Sequence, residues 1–193
     1  MNNTKNGSYN LTHKRTTPPV VCIVGNSGSG KTTFIERLIP ELKRRGLKIG
    51  TLKHDVHGFE MDKPGKDSWR HKQAGASTTI ISSAKKIGIV MDVNHDHKPD
   101  ELLPLFSDMD IILAEGYKRT DRPKLEVFRA EITKEPLSKE DKSLLAIVSD
   151  TTVDLDVPRF SIKDIKGVTV FLLDYFNLSP ATSTDQRNIS SIG

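Results

Sequence analysis

One stretch decides how this chain folds, and it reads Val20-Val-Cys-Ile-Val24-Gly25-Asn-Ser-Gly-Ser-Gly30-Lys31-Thr32. Its first five residues are apolar, which is typical of a strand buried on both faces of a parallel sheet. The remainder matches G-x-x-x-x-G-K-[ST], a glycine loop (the P-loop) whose backbone N–H groups surround phosphates. Apolar side chains then recur at helical spacing after Lys31, so the loop joins a strand to a helix. The stretch therefore predicts a nucleoside triphosphate site.

The loop offers three kinds of contact to a triphosphate. Its glycines let backbone N–H groups turn inward, and the positive end of the following helix points at the anion. Lys31 adds a positive charge near the β- and γ-phosphates, and the Thr32 hydroxyl is a ligand for Mg²⁺. The predicted nucleotide-binding residues are Gly25, Asn26, Ser27, Gly28, Ser29, Gly30, Lys31, Thr32, Thr33 and, for the base, Asp150.

Beyond the loop, apolar runs of strand length alternate with amphipathic segments, which indicates crossover units on a mostly parallel sheet. Two β-rich runs, Thr78–Ser82 and Ile87–Met91, are joined by a short basic link and predict a hairpin on that sheet. Residues 124–128 are predicted as an edge strand. The predicted fold class is therefore α/β, a P-loop NTPase with a mostly parallel sheet flanked by helices and an added β-hairpin.

The chain has 193 residues, of which 35% are hydrophobic and 28% charged, as expected for one domain with a real core. Polar composition predicts disordered tails over residues 1–17 and 179–193, around a P-loop nucleotide-binding domain over residues 18–178. The N-terminal segment lacks the apolar centre of a secretory signal, and no apolar run reaches the ~18 residues of a membrane span. We expect a cytoplasmic protein without membrane contact.

The net charge of +4 favours anionic partners. Lysines and acids are interspersed along the chain, so the charge fits nucleotides or phosphorylated ligands, and nucleic acid is not expected as a partner. One basic cluster, Tyr117-Lys-Arg119 with Arg122 and Lys124, has two interpretations. It binds a phosphorylated second ligand or an acidic partner surface, or it is a solvated loop.

A magnesium site beside the loop requires a carboxylate, and two acids flank the apolar run from Asp110 to Glu115. They lie roughly 16 Å apart if this run is a strand. Because parallel strands end at one ligand-binding edge, Glu115 is predicted beside the metal and Asp110 at the opposite edge. Asp55 follows the second predicted strand, where it binds the metal through water or positions the attacking water. The predicted catalytic residues are Lys31, Asp55 and Glu115, and the predicted metal ligands are Thr32, Asp55 and Glu115.

The base is harder to assign, because no N-K-x-D guanine motif occurs in the chain. Asp150 follows a predicted strand, and its carboxylate can accept hydrogen bonds from guanine N1 and N2. Alternatively, Asp150 only begins the turn Asp150-Thr-Thr. The sequence leaves both interpretations open.

Two histidine pairs have zinc-compatible spacing, His54 with His57 and His95 with His97. Neither pair has a cysteine or a second pair near it to complete a tetrahedral site. Solvated or phosphate-contacting histidines are therefore predicted.

Five motifs follow one another along approximately residues 20–176. They are residues 25–32, Leu52-Lys-His-Asp55, Gly65-Lys-Asp-Ser-Trp-Arg70 with Ala74-Gly-Ala76, Asp110-Ile-Ile-Leu-Ala-Glu-Gly-Tyr-Lys118, and Pro123-Lys-Leu-Glu-Val127. In this order they resemble the molybdopterin-guanine dinucleotide biosynthesis protein B family, commonly called MobB. Many enzymes share the P-loop, whereas the combination of Lys66-Asp-Ser68 with Glu115-Gly-Tyr-Lys118 is much more specific.

The resemblance implies a homodimeric GTP-binding protein with weak, Mg²⁺-dependent GTPase activity. It also implies an adapter in molybdenum cofactor biosynthesis, which acts beside the guanylyltransferase that joins GMP to molybdopterin, with molybdopterin or its guanine dinucleotide as a further ligand. By position, residues 25–32 would bind the phosphates of GTP, Thr32 and Glu115 the magnesium, and Asp55 would lie near the γ-phosphate. No side chain is an obvious arginine finger, and P-loop hydrolysis without that charge is slower by roughly 10³–10⁵.

Two other functions stay open on the sequence. A P-loop small-molecule kinase would hold an acceptor hydroxyl between residues 54–66 and 117–122, and it would consume nucleotide only with a second substrate. A binding module would use the nucleotide only as a conformational ligand. Such a module would keep its function when hydrolysis is blocked at Asp55 and lose it when binding is blocked at Lys31.

Overall fold

The structure is a computed structural model, and it describes residues 17–179. Apart from one residue each, the predicted tails 1–17 and 179–193 lie outside the described residues. The strands are β1 (Val20–Val24), β2 (Ile49–Lys53), β3 (Thr78–Ser82), β4 (Ile87–Met91), β5 (Ile111–Glu115), β6 (Lys124–Val127), β7 (Leu144–Val148) and β8 (Arg159–Phe160). The helices are α1 (Lys31–Arg44), α2 (Asp67–Gln73), α3 (Pro99–Leu102) and α4 (Ile165–Tyr175), and a 3-10 turn spans Leu103–Phe106. None of these helices is long and apolar enough to cross a bilayer.

Six strands form a parallel sheet in the order β2-β5-β1-β6-β7-β8. Successive side chains of β1 point to opposite faces. Val21 and Ile23 join one core cluster, and Val20, Cys22 and Val24 join another on the far side. Both faces of β1 are buried, which explains its uniformly apolar sequence. The predicted α/β class with a mostly parallel sheet is confirmed.

Helices α1 and α4 cover one face of the sheet. The buried side of α1 carries Phe34, Leu38 and Leu42 at helical spacing, and Val168 and Leu172 of α4 pack in the same cluster. Burying one such side chain contributes roughly 1.5–3 kcal/mol. A smaller cluster, which includes residues of the 3-10 turn, covers the other face. The loop between β1 and α1 is thereby anchored at both ends by core packing.

The prediction of an edge strand over residues 124–128 is wrong, because β6 lies between β1 and β7. Its two charged residues, Lys124 and Glu126, are fully buried. The Lys124 ammonium lies 2.9 Å from the Asp141 carboxylate, and Glu126 accepts two backbone N–H groups at 2.7 and 2.8 Å. A central strand tolerates these charges because each has its partner.

Strands β3 and β4 form the predicted hairpin, but the prediction that it lies on the main sheet is wrong. The hairpin is a separate two-stranded antiparallel sheet. It follows α2, and a small cavity between the two is lined by Trp69, Thr79 and Val90. The hairpin therefore satisfies its own backbone hydrogen bonds and rests on α2 instead of extending the core.

Candidate functional site

The loop of residues 25–30 leaves the carboxyl end of β1 and enters α1 through glycines. Gly25 has φ +142° and Gly30 has φ +93°, backbone angles that residues other than glycine rarely adopt. A Cβ at Gly25 would also lie 2.4 Å from the carbonyl oxygen of Val127. The loop therefore needs glycine for its backbone conformation and for its close approach to β6.

Lys31, the first residue of α1, folds its side chain back over the loop. Its Nζ donates a hydrogen bond to the Asn26 carbonyl oxygen at 2.8 Å. Burial lowers the pKa of this ammonium group, Glu115 opposes that shift, and nearby Lys118 and Lys53 add to it. The group lies at the positive end of α1, so this end of the sheet is suited to an anion.

Thr32 and Glu115 meet beside the loop. The Thr32 hydroxyl lies 3.0 and 3.2 Å from the two Glu115 carboxylate oxygens, to which it donates. The contact arises because β1 and β5 are parallel neighbours in which Ile23 pairs with Glu115, so both strands end at one edge. Asp110 lies at the other end of β5, where it accepts the Lys48 N–H at 2.7 Å. A hydroxyl and a carboxylate, both oxygen ligands that Mg²⁺ accepts, are thus placed together as the parallel pairing predicts.

Asp55 lies at the same edge, just beyond the end of β2. It lines the cleft into which Lys31 and Glu115 also project. Its carboxylate accepts the backbone N–H of His57 at 2.9 Å, a local turn contact. The placement agrees with the expected position, and the predicted role in positioning water stays a prediction.

One cleft of about 670 Å³ connects the loop to a basic surface. This is in the range of small-molecule and cofactor sites. It is lined by the loop residues Gly25, Ser27 and Lys31 and by the basic side chains of Lys98, Lys118 and Arg119. The carboxylates of Asp55, Asp96 and Glu115 line it as well, so four cationic side chains stand against three acids and the cleft suits an anionic ligand bound together with a metal ion.

His54 forms one wall of the cleft. Its ring stacks on Tyr117 with 4.6 Å between centroids, and its Nε2 lies 2.9 Å from the Asp96 carboxylate. Gly116 has φ +97°, and a Cβ there would lie 3.2 Å from the His54 Cβ. Gly116 is thus required by its own backbone conformation and by the close approach of His54.

Asp150 follows β7 at the same edge of the sheet, but it does not line the main cleft. Its Oδ1 accepts the Ser161 hydroxyl at 2.6 Å and the Ile162 N–H at 3.1 Å. The hydrogen bond from Ser161 and then that from Ile162 hold the pKa of the Asp150 carboxyl below its ordinary value. Asp150 therefore ties the end of β7 to the segment before α4, and its predicted contact with guanine stays a prediction.

Arg129 is a contact of the loop that no sequence pattern indicates. Its Nε donates a hydrogen bond to the Ser29 carbonyl oxygen at 3.1 Å. The Ser29 hydroxyl is buried and has no hydrogen-bond partner among the described residues. Arg129 reaches the loop because β6 lies next to β1. The sequence did not predict that β6 and β1 are neighbours, so it did not predict this contact either.

A parallel sheet whose first strand runs through a glycine loop into a helix defines the P-loop NTPase fold class. Lys31, Thr32 and a carboxylate on the neighbouring strand, all at the carboxyl edge, are the features that this class places there.

Comparison with known proteins narrows this class to one family. Residues 20–150 match the family described as MobB, Molybdopterin guanine dinucleotide synthesis protein B. The chain is 35% identical over 161 residues to the molybdopterin-guanine dinucleotide biosynthesis adapter protein of Haemophilus influenzae, across 82% of this chain and 90% of that protein. It is 33% identical over 166 residues to the protein of that name from Escherichia coli, across 83% of this chain and 95% of that protein.

A solved structure gives the same result. The crystal structure of Bacillus subtilis MobB matches with a TM-score of 0.64 at 30% identity, across 81% of this chain and 96% of that one. The chain belongs to the MobB family, as its motifs predicted.

Proposed function

We propose that the protein binds GTP with Mg²⁺ at residues 25–32 and acts as an adapter in the biosynthesis of molybdopterin guanine dinucleotide. The observation that carries the nucleotide part is the pairing of Thr32 with Glu115 beside Lys31. The adapter part is supported by the names of the Haemophilus influenzae and Escherichia coli relatives. Action in the cytoplasm stays a prediction from the sequence.

In this proposal the backbone N–H groups of the loop and the Lys31 ammonium bind the phosphates. Lys31 exchanges its hydrogen bond with the Asn26 carbonyl for phosphate oxygens. Thr32 and Glu115 hold Mg²⁺, which neutralises phosphate charge when it is bound. The Asp150 carboxylate accepts hydrogen bonds from the guanine base.

Hydrolysis is proposed to be weak and to use Asp55 to position the attacking water. Arg129, the guanidinium that contacts the loop, donates to the Ser29 backbone carbonyl and does not line the cleft. Arg129 is therefore held by the loop backbone, and slow turnover is proposed from the family resemblance. Nucleotide consumption that required a small-molecule acceptor would instead favour the kinase alternative.

The proposed partner is the guanylyltransferase that joins GMP to molybdopterin. Lys98, Lys118 and Arg119, which line the same cleft, support a second, phosphorylated ligand such as molybdopterin or its guanine dinucleotide. In the proposal, the nucleotide and the pterin ligand bind at adjacent ends of one cleft.

A homodimer is part of the proposal, and the hairpin supports it. Side chains that lie opposite each other across β3 and β4 share one face. On one face these include Ile80, Ile87, Ile89 and Met91, all of them exposed. A contiguous apolar surface of this kind marks a protein interface, because exposing it to water is unfavourable. A second copy of the chain is the proposed occupant.

Reconstitution with the guanylyltransferase, molybdopterin and GTP tests the proposal. Wild-type protein is expected to raise the yield of dinucleotide cofactor, and Lys31→Ala is expected not to. Lys43→Ala, which changes an exposed lysine of the same helix, is the matched control. Equal yields with wild type and Lys31→Ala would contradict a nucleotide-dependent adapter. Asp55→Ala tests whether hydrolysis is needed in addition to nucleotide binding. A full yield of cofactor with this variant would mean that nucleotide binding suffices.

A further inference from the structure

A second group of metal-ligating side chains lies at the rim of the cleft, away from the loop. His95, His97 and Glu101 each offer one ligand atom, and these atoms all lie within 4.8 Å of one another. The two histidines precede α3, and Glu101 lies in its first turn. The sequence displays only the histidine pair, because Glu101 becomes its neighbour only when the chain turns into α3.

The two rings stack with 4.0 Å between centroids and 21° between their planes, so one ring turns when both bind one ion. Nδ1 of His97 lies 3.2 Å from the His95 carbonyl oxygen. Because a carbonyl only accepts, this Nδ1 carries the hydrogen and leaves the lone pair of the neutral ring on Nε2. Nδ1 of His95 lies 2.8 Å from the Asn94 side-chain oxygen and Nε2 lies against the Glu101 carboxylate, so an ion that binds Nε2 displaces the hydrogen of that contact. Metal-bound histidines characteristically donate their other ring N–H to such an oxygen.

Glu101 is held with one oxygen fixed and the other directed at His95. Its Oε2 accepts the Lys98 N–H at 2.8 Å, as part of the cap of α3. Its Oε1 lies 2.7 Å from the Nε2 of His95. The cap thus holds the carboxylate in place with Oε1 facing His95, on the side where the ligand nitrogens lie.

We propose that His95, His97 and Glu101 bind one divalent transition-metal ion of the Zn²⁺ type. Zn²⁺ takes nitrogen and carboxylate ligands at about 2.0–2.2 Å, so tetrahedral ligand atoms lie about 3.3 Å apart. The His95–Glu101 contact needs to open by only about 0.6 Å, and both side chains are partly exposed. The ion replaces the hydrogen shared by His95 Nε2 and Glu101, which is released to solvent as a proton, and the fourth position stays open to water or a ligand.

The site adjoins the nucleotide cleft without sharing its proposed Mg²⁺ ligands. His97 lines the cleft, and Asp96, between the two histidines, contacts His54 on the cleft wall. An ion at this site therefore fixes the segment that forms the rim. Imidazole ligands favour transition metals over Mg²⁺, so the two sites take different ions.

Titration of the nucleotide-free full chain with Zn²⁺ in a calorimeter tests the proposal, with Mg²⁺ present in large excess. One tight site per chain is expected to lie at the triad. His97→Ala and Glu101→Gln are each expected to weaken its affinity by at least about tenfold. Glu101→Gln keeps an oxygen for the cap of α3, because Gln also serves in capping boxes, so its effect does not come from unfolding. Co²⁺ in place of Zn²⁺ is expected to give the absorption of a tetrahedral ion.

Two further variants identify the site. His71→Ala removes an exposed histidine of α2 and is expected to leave Zn²⁺ affinity unchanged. Glu115→Gln is also expected to leave it unchanged, which separates this ion from one bound beside Thr32. Equal Zn²⁺ affinity in wild type, His97→Ala and Glu101→Gln would overturn the proposal, as would a wild type that binds no Zn²⁺.

Discussion

Thr32 and Glu115 are 83 positions apart in the chain, yet the Thr32 hydroxyl donates a hydrogen bond to the Glu115 carboxylate at 3.0 Å. The contact requires β1 and β5 to be parallel neighbours that end together, because Ile23 pairs with Glu115. A helix-start hydroxyl and a strand-end carboxylate thus form one potential Mg²⁺ site from two distant motifs.

Removing either partner is expected to weaken the Mg²⁺-dependent part of GTP affinity. Thr32→Ala and Glu115→Gln should each lower GTP affinity about tenfold or more, that is by about 1.4 kcal/mol, when Mg²⁺ is present. The loss should be much smaller when a chelator removes Mg²⁺. Isothermal titration with GTP in both conditions measures the difference. Thr51→Ala changes an exposed threonine of β2 and serves as control. Equal losses with and without Mg²⁺ would show that the pair does not hold the metal.

Asp150 has a structural contact that must be separated from its proposed recognition of guanine. Ser161→Ala removes the hydrogen bond at 2.6 Å but keeps the carboxylate. Asp150→Ala is expected to erase a preference of about tenfold for GTP over ATP, whereas Ser161→Ala is expected to retain it. Competition binding of both nucleotides measures the ratio. A preference that survives in Asp150→Ala would assign Asp150 to loop structure alone.

The pair formed by the buried Lys124 and the partly exposed Asp141 predicts a stability that depends on pH. Burial acts to raise the pKa of Asp141, but hydrogen bonds from Ser143 and Lys124 outweigh it and hold that pKa below its ordinary value. A folded-state pKa below the unfolded one stabilises the protein above about pH 4. This contribution is lost as the pH falls through the lower pKa of the folded protein.

Asp141→Asn is therefore expected to lower the free energy of unfolding by about 1–3 kcal/mol at pH 7, because it leaves Lys124 buried without its counter-charge. The loss should shrink as the pH falls below about 4. Urea unfolding at several pH values measures both effects. Glu140→Gln, at an exposed neighbouring acid, is the control. A loss of the same size at every pH would contradict the charge argument.

The apolar face of the hairpin predicts the oligomeric state. Ile89→Glu places a charge in its centre and is expected to convert a dimer into a monomer, because burying that charge at the interface is costly. Sedimentation velocity measures the change. Leu137→Glu alters a residue of nearly equal exposure, 47% against 48%, outside the hairpin. A dimer that withstands Ile89→Glu but not Leu137→Glu would place the interface elsewhere.

The sequence predicts the strands and helices around the site well, and also the edge of the sheet at which the site lies, because both follow from short patterns. The apolar β1, the glycine loop and the helix after Lys31 are contiguous, and parallel pairing then determines which end of β5 carries the relevant acid. Which strands lie next to each other in the sheet is harder to predict from the sequence. The counter-charge of Lys124 and the two N–H donors to Glu126 lie more than ten positions away along the chain, so local sequence cannot reveal that β6 is central. The contact of Arg129 with Ser29 depends on the same long-range packing, whereas that of Glu101 with His95 is local and depends on the turn into α3.

GTP binding by the loop of residues 25–32 is proposed to depend on Lys31. Equilibrium binding of GTP in the presence of Mg²⁺ is to be compared between wild type, Lys31→Ala and the control Lys43→Ala. Wild type and Lys43→Ala are expected to bind alike, while Lys31→Ala loses at least about tenfold in affinity. Undiminished GTP binding by Lys31→Ala, or no GTP binding by the wild type, would show that this loop is not the GTP site.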